Sequence, residues 1–393
     1  MINEKIGVVG ASGFIGSRLI EHIVLEQSAE VKAIVRSISS YPRLARFDID
    51  IEIGDLLDLE SLYKAFSGCS IVFHAAVGDP KIIIKGIENT ILAAAKTGVK
   101  RIVYLSSAVV HGYNPSPNTN DESPLMKSQP FEYNNSKVKA ELIIKNMRKK
   151  LPVEVVVLRP YIVYGPRSTY YTTSLALNLL QKKVCFINDG KAAFNGIYID
   201  NLIDAMLLAA EIPEAANQNF IISDGFNLTW GDYLSGLSEI VGVSINEVPN
   251  LSVEEAKALL KGKSKRETLI KALFGLITTK EFKSFILSIP TVKKIVYKYP
   301  DFTRNIYKKF AHKNKMEINN YINLREDVDK ANFNNVHLDE EWINLMLCQI
   351  HLPIEKAKSI LGYQPKVDFK EAMNRTSKWL HFAYLSQPDR LFH

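Results

Sequence analysis

From Lys5 to about Pro166, short apolar runs rich in β-branched residues alternate with longer stretches whose apolar residues recur at helical spacing. The runs are IGVVG, VKAIVR, IDIEIG, CSIVFHAA, KRIVYLSS and EVVVLRP. Several are apolar throughout, which suits strands covered on both faces, as inside a parallel sheet. The stretches between them, SRLIEHIVLEQ, LESLYKAF, IKGIENTILAAAKTG and NNSKVKAELIIKNMRKK, gather their apolar positions on one helical stripe. Strands alternating with helices in this way predict an α/β fold with a doubly wound parallel sheet of six strands over residues 1–166.

After Gly165 the alternation weakens. SLALNLLQKK, NLIDAMLLAAEI and DYLSGLSEIVG read as helices, CFIND and NFIISD as short strands. Residues 167–393 are therefore expected to form a smaller C-terminal lobe that closes over the carboxyl edge of the sheet, where ligands of open α/β sheets bind. Within it, residues of about 251–335 form a helical basic insertion interrupted by Pro290 and Pro300, and 352–380 read as helix, turn, helix returning to the lobe.

Charge sharpens this division. Residues 261–315 hold 15 Lys/Arg against Glu267, Glu281 and Asp301, a net +12, so the whole-chain +7 leaves −5 for everything else. The three cysteines, Cys69, Cys185 and Cys348, are far apart and show no metal-ligand spacing, so no metal site is expected and a reducing, cytoplasmic compartment fits. The opening MINEKIGVVGASGFIG is interrupted by small residues and glycines before a signal-type apolar core could form, and is read as a first strand. No apolar stretch reaches the roughly 18 residues of a membrane span.

Three local patterns carry chemistry. The first strand runs into Gly10-Ala-Ser12-Gly13-Phe14-Ile15-Gly16 and at once into an amphipathic helix. Glycines at such a junction let the backbone approach a pyrophosphate where free helix N–H groups favour negative charge. Arg36 stands about 20 residues further on, where NAD-binding folds place an acid on the ribose. It would pair with a 2′-phosphate through its planar fork, the alternative being an exposed arginine at a strand end. In YNNSK, Tyr133 and Lys137 are four apart and share a helix face. An ammonium beside a phenol favours the phenolate, so Lys137 is expected to lower the pKa of Tyr133 and make it a general acid or base. Ser107, of the Ser106-Ser107 pair ending KRIVYLSS, would donate to the same substrate oxygen or simply form a turn.

Taken together, GASGFIG, IGDLLD, FHAAVGD, RIVYLSSAVVHG, YNNSK, LRPYIVYGP, IYIDNLIDA and KAKSILGYQP resemble the extended short-chain dehydrogenase/reductase superfamily, whose branches include the NAD-dependent epimerase/dehydratases, 3β-hydroxysteroid dehydrogenases and dihydroflavonol-type reductases. The resemblance implies a Rossmann sheet, with Tyr133 as acid/base, Lys137 on the nicotinamide ribose and Ser107 polarising the substrate oxygen. It further implies that Asp55 and Leu56 lie against the adenine, that Ala75 and Ala76 flank the dinucleotide and that Pro160 sits near the carboxamide. The cofactor expected is NADP, with NAD the alternative. Val77, His111, Ile162 and Phe194 fall at substrate-pocket positions. Ile162 and Phe194 stand where sugar-nucleotide enzymes of the family carry Asn and Arg, so the pocket is expected to be greasier. His111 replaces the usual tyrosine, as a pocket residue or as a satisfied structural histidine.

These features point to an oxidoreductase acting on a secondary alcohol or ketone with a lipophilic or modestly polar small-molecule substrate. The alternatives are a nucleotide-sugar epimerase/dehydratase and a dinucleotide-binding regulator without turnover. Many relatives dimerise, so a homodimer is among the expectations. The segment 261–315 mixes its cations with Phe274, Phe282, Phe285 and Tyr297, which suits either peripheral contact with an anionic membrane or the solvated face of an inserted helical subdomain. A protein or nucleic-acid partner comes after these, and no nucleic-acid module is recognised.

Overall fold

The structure is a computed structural model that describes residues 4–27, 29–261, 336 and 338–385. The chain divides into one compact unit of Met1–Asn250 with Glu341–His393 and a second of Leu251–Glu340. Most of the second unit, and with it the basic segment beyond Lys261, lies outside the described residues. Its described part opens a helix over 253–261, where Ser252 and Glu255 cap each other: the Glu255 N–H donates to the Ser252 hydroxyl at 3.2 Å and the Ser252 N–H to the Glu255 carboxylate at 2.8 Å.

The first unit is built on a parallel sheet. In chain order its strands are β1 (Ile6–Val9), β2 (Val31–Val35), β3 (Asp50–Ile53), β4 (Ile71–His74), β5 (Arg101–Leu105), β6 (Glu154–Pro160) and, far downstream, β10 (Asn219–Ile222). Their spatial order is β10-β6-β5-β4-β1-β2-β3, every pairing parallel. The helices α1 (Phe14–His22), α2 (Leu59–Phe66), α3 (Pro80–Thr97) and α4 (Glu132–Met147) make the crossovers. β1, β4 and β5 are buried at every position, as apolar runs covered on both faces require. Strand order reverses between β1 and β4, so the crevice beyond Val9 and His74 is the place where this sheet opens to a ligand.

The sheet has seven strands where the sequence pattern predicts six. NFII, expected as a strand of the small lobe, pairs instead with Val157–Pro160 as the outermost strand. A four-residue run carries no sign of which sheet it joins. Side chains from the first half secure it: Arg148 donates to Gln218 O at 3.1 Å and to Asn219 Oδ1 at 3.0 Å, and Asp121 accepts from the Ile221 N–H.

Helix ends follow local chemistry. The Asp79 carboxylate accepts from the Ile82 N–H at 3.0 Å to open α3, Pro80 fills its first turn, and Gly98 closes it at φ 80°. Beyond β6 come β7 (Ile162–Tyr164), α5 (Leu175–Leu180), β8 (Phe186–Ile187), β9 (Gly196–Tyr198), α6 (Ile199–Glu211) and α7 (Trp230–Val241). The chain after the second unit supplies α8 (Glu340–Leu345) and α9 (Phe369–Leu380). Buried Asp224 ties this region together, accepting from Tyr164 Oη at 2.9 Å, Asn201 Nδ2 at 2.7 Å and the Tyr198 N–H at 3.0 Å. Burial raises its pKa to about 7 against these three donors. No helix among the described residues is long and apolar enough to cross a membrane.

Candidate active site

The glycine turn lies at the crevice. Gly10 has φ 80°, and a Cβ there would come within 2.7 Å of Ala76 N and 2.9 Å of Ala75 C, so only glycine lets the turn lie against β4's exit. A Cβ on Gly16 would collide with Gly10 O, which fixes the close approach of α1 to the turn. Gly13 caps α1 without a side-chain bond, and no acid stands in its first turn. The N–H groups of Phe14, Ile15 and Gly16 thus have no partner within the helix and meet no competing carboxylate, which fits a dinucleotide pyrophosphate. Ser12 is half-buried in the turn, and its carbonyl accepts from Arg43 Nη1 at 3.1 Å. Arg36 is exposed at the end of β2, while Asp55 and buried Leu56 follow β3. Asp55 Oδ1 accepts from the Leu57 N–H at 2.8 Å, and Leu56 packs on Gly86 of α3. Pro160 ends β6, buried beside Ile222, and Val77 is 66% exposed beyond β4.

Ser107, Tyr133 and Lys137 come together at the same edge. Ser107 follows β5, is buried, accepts from the Val109 N–H at 3.4 Å, and stands near enough to the Tyr133 hydroxyl to favour its ionised form. One turn along α4, Lys137 Nζ lies 5.8 Å from the Tyr133 ring centroid. It donates to Leu105 O at 2.7 Å and to Tyr104 Oη at 3.3 Å.

The electrostatics differ from the expectation that the ammonium lowers the Tyr133 pKa. Burial around the hydroxyl pushes it up to about 12, the nearby Ser107 hydroxyl opposes this, and the charge of Glu341 adds to it. The ring is nonetheless 40% exposed, so the phenol has a dense setting at its tip and an open flank. Lys137 is itself brought down to about 8 by burial, with Glu141 opposing. Its ammonium is committed to the Leu105 carbonyl and the Tyr104 hydroxyl, and desolvation wins at Tyr133.

Beneath these residues lies a network that sequence reasoning missed. Glu141, one turn past Lys137, forms a buried ion pair with Arg159 of β6 at 2.6 Å, the two side chains 4% and 3% exposed. It also accepts from Ser106 Oγ at 2.5 Å. Arg159 donates to Asp121 O at 2.7 Å and to His111 Nε2 at 3.3 Å, and His111 Nδ1 in turn meets Pro124 O at 3.3 Å. With Nε2 accepting, Nδ1 carries the proton. Burial and Arg159 both lower the His111 pKa, which favours the neutral ring, and both ring nitrogens have partners.

The 3-beta hydroxysteroid dehydrogenase/isomerase family profile matches residues 7–252. The chain belongs to that family. It is thereby an NAD(P)-dependent enzyme of the extended short-chain dehydrogenase/reductase superfamily. It is 26% identical over 262 residues, 64% of this chain and 77% of the other, to a 4-hydroxy-2-methyl-3-oxo-4-farnesyl-3,4-dihydroquinoline-1-oxide ketoreductase of Stigmatella aurantiaca. Over 398 residues, 96% of this chain and 98% of the other, it is 23% identical to a decarboxylating sterol-4-alpha-carboxylate 3-dehydrogenase of Candida albicans. Among solved structures it resembles the UDP-glucuronic acid 4-epimerase of Bacillus cereus, in complex with UDP-glucuronic acid and NAD, at a TM-score of 0.62 and 17% identity, covering 97% of this chain and 100% of that one.

On the substrate side, Ile162 and Phe194, expected to make a greasy wall, are both buried in this member of the 3-beta hydroxysteroid dehydrogenase/isomerase family. Ile162 is wholly buried in β7, paired with Gly196. Phe194 stacks on Tyr233 with centroids 4.2 Å apart and meets Trp230 edge-on at 5.0 Å. Phe194 also lines a cavity with Asn195, Asp224 and Leu352. Tyrosines gather around Tyr133 instead: Tyr113, packed at 4.9 Å on Phe131, and Tyr170 and Tyr171, packed on each other at 4.8 Å. The carboxylate of Glu341 accepts from Tyr170 Oη at 3.5 Å and its charge helps to raise the Tyr113 pKa. A glutamate some two hundred residues from the YxxxK motif gives no local signal of belonging here.

Proposed function

We propose that the protein transfers a hydride at a secondary alcohol or ketone carbon of a modestly polar small molecule, with Tyr133 as general acid/base, Ser107 as donor to the reacting oxygen and Lys137 as the ribose-binding cation. The observation that carries this reading is the gathering of Ser107 and Tyr133 at the carboxyl edge of the sheet, with Lys137 Nζ 5.8 Å from the Tyr133 ring centroid one helical turn below. The glycine turn, with Ala75, Ala76, Asp55, Leu56 and Pro160, would hold the dinucleotide. Bound nicotinamide supplies the hydride. Near neutral pH Tyr133 is protonated, as a proton donor to a carbonyl oxygen must be. Ser107 keeps a donor fixed where negative charge develops, which needs no reorganisation as the reaction proceeds.

Label transfer tests this. With 4-deuterated NADPH and a ketone substrate, one cofactor should be oxidised per alcohol formed, with deuterium on the carbinol carbon. Inversion of UDP-glucose with no net change in cofactor would overturn the reading in favour of an epimerase.

The cofactor preference we infer is for NADP(H). Arg36 is exposed beyond β2, no acid follows it through Ser40, and Arg43 reaches the glycine turn. A guanidinium on a 2′-phosphate makes charge-assisted bonds of roughly 1.5–3 kcal/mol, so NADPH should bind at least about tenfold more tightly than NADH. Arg36→Ala should remove most of that margin in calorimetric titrations. Equal affinities in the unaltered protein would refute the preference.

A further inference from the structure

A cavity of about 430 Å³ opens between α1, the start of α6 and α9, and none of Ser107, Tyr133 and Lys137 lines it. That volume lies within the range of about 300–1,000 Å³ usual for small-molecule pockets. One wall is the α1 face of Phe14, Arg18 and Glu21. Another carries Arg375, Lys378, Trp379 and Phe382, which recur at helical spacing along α9 and just past its end. The two acids of the lining are already matched. Asp200 accepts from Arg18 at 2.7 Å and from Arg375 at 3.0 Å, and Glu21 accepts from Arg18 at 2.9 Å and from Arg46. Glu371, whose charge Lys378 also meets, bonds Arg375 at 2.7 Å and Asn374 at 3.0 Å. That leaves Arg167 and Lys378, neither of which forms an ion pair among the described residues.

Arg167 is half-buried at φ 70°, a left-handed conformation that costs a residue with a Cβ and that collects where function holds it. Phe382 is 84% exposed, and half-buried Trp379 packs edge-on against Tyr384 at 5.4 Å. Aromatic surface left in water beside unmatched cations suits a molecule that is apolar at one end and anionic at the other. One negative charge fits better than two, because Glu21, Asp200 and Glu371 stand around the same cations. We propose that this cavity is a second ligand site, apart from the catalytic group, which takes a small monocarboxylate with an apolar body: Arg167 and Lys378 hold the carboxylate, and Phe14, Trp379 and Phe382 cover the hydrocarbon.

Calorimetric titration of the whole protein, saturated with NADP+ or NAD+ so that the dinucleotide crevice is filled, tests this with four probes: octanoate, octan-1-ol, octylammonium and acetate. Octanoate should bind one per chain, at least about tenfold more tightly than octan-1-ol, which lacks the charge, and than acetate, which lacks the chain. Octylammonium should bind most weakly. Octanoate should also change the tryptophan fluorescence, and Trp379→Phe should abolish that change, because Trp230 and Trp342 pack on each other at 5.1 Å and do not line the cavity. Lys378→Glu and Phe382→Asn alter exposed side chains, so the fold should stand while each weakens octanoate by about fivefold or more. No octanoate binding at millimolar concentration, equal or tighter binding of octan-1-ol or octylammonium, a fluorescence change that survives Trp379→Phe, or affinity unaltered in both Lys378→Glu and Phe382→Asn would overturn the proposal.

Discussion

Tyr133→Phe is expected to lower turnover by roughly 100-fold or more while leaving the fold and the cofactor affinity intact, the range for loss of a general acid/base. The ring keeps its packing, because only the hydroxyl oxygen near Ser107 is removed. What disappears is the proton that the proposed reaction transfers to the carbonyl oxygen, and Lys137 does not replace it, since its ammonium donates to Leu105 O at 2.7 Å. Steady-state turnover, cofactor titration and circular dichroism on the same preparation would check the three parts together. Turnover within about tenfold of the unaltered protein would mean that another group transfers the proton.

Glu141→Ala is expected to destabilise the protein by about 3–5 kcal/mol, the usual result of removing one partner of a buried ion pair. Arg159 would lose its bonds at 2.6, 3.0 and 3.2 Å, and Ser106 its acceptor, in a region where both charged side chains are at most 4% exposed. The remaining guanidinium, not the lost attraction, dominates the cost. The double variant Glu141→Leu with Arg159→Met should therefore regain part of the loss. Urea unfolding of the single and double variants gives both numbers, and a single-variant loss below about 1 kcal/mol would show that water reaches the pair. Because Glu141 sits one turn beyond Lys137 on α4, turnover in the surviving folded fraction should fall as well.

Much of this was legible in the sequence, and the limits are physical. The parallel sheet, the glycine turn and the Ser107, Tyr133 and Lys137 group follow from periodicity and spacing, because each is set within one element or one junction. The Tyr133 pKa was not legible: spacing places Lys137 beside it, but only packing decides that burial outweighs the ammonium. Ile162 and Phe194 are apolar as expected, yet their type alone does not distinguish the wall of a cavity from the core behind it. Arg159 in LRP and Glu141 in α4 look like ordinary charged residues until β6 and α4 are docked at 2.6 Å. Glu341 follows a segment of unrelated composition, so no motif leads to it.

The late arrival of β10 bears on how the chain reaches this state during synthesis. A nascent chain released as far as Pro166 has β1 through β6 but leaves β6 as a bare edge, with backbone groups that later bond Asn219–Ile222. Arg101 at the start of β5 would also be waiting, since its guanidinium donates to the carbonyls of Ala209, Ala210 and Ile212 at 3.2, 2.9 and 2.7 Å. Unpaired edges of this kind invite association between chains. The sheet is therefore completed only when residue 222 has emerged, after the ribosome has delivered more than half of the chain.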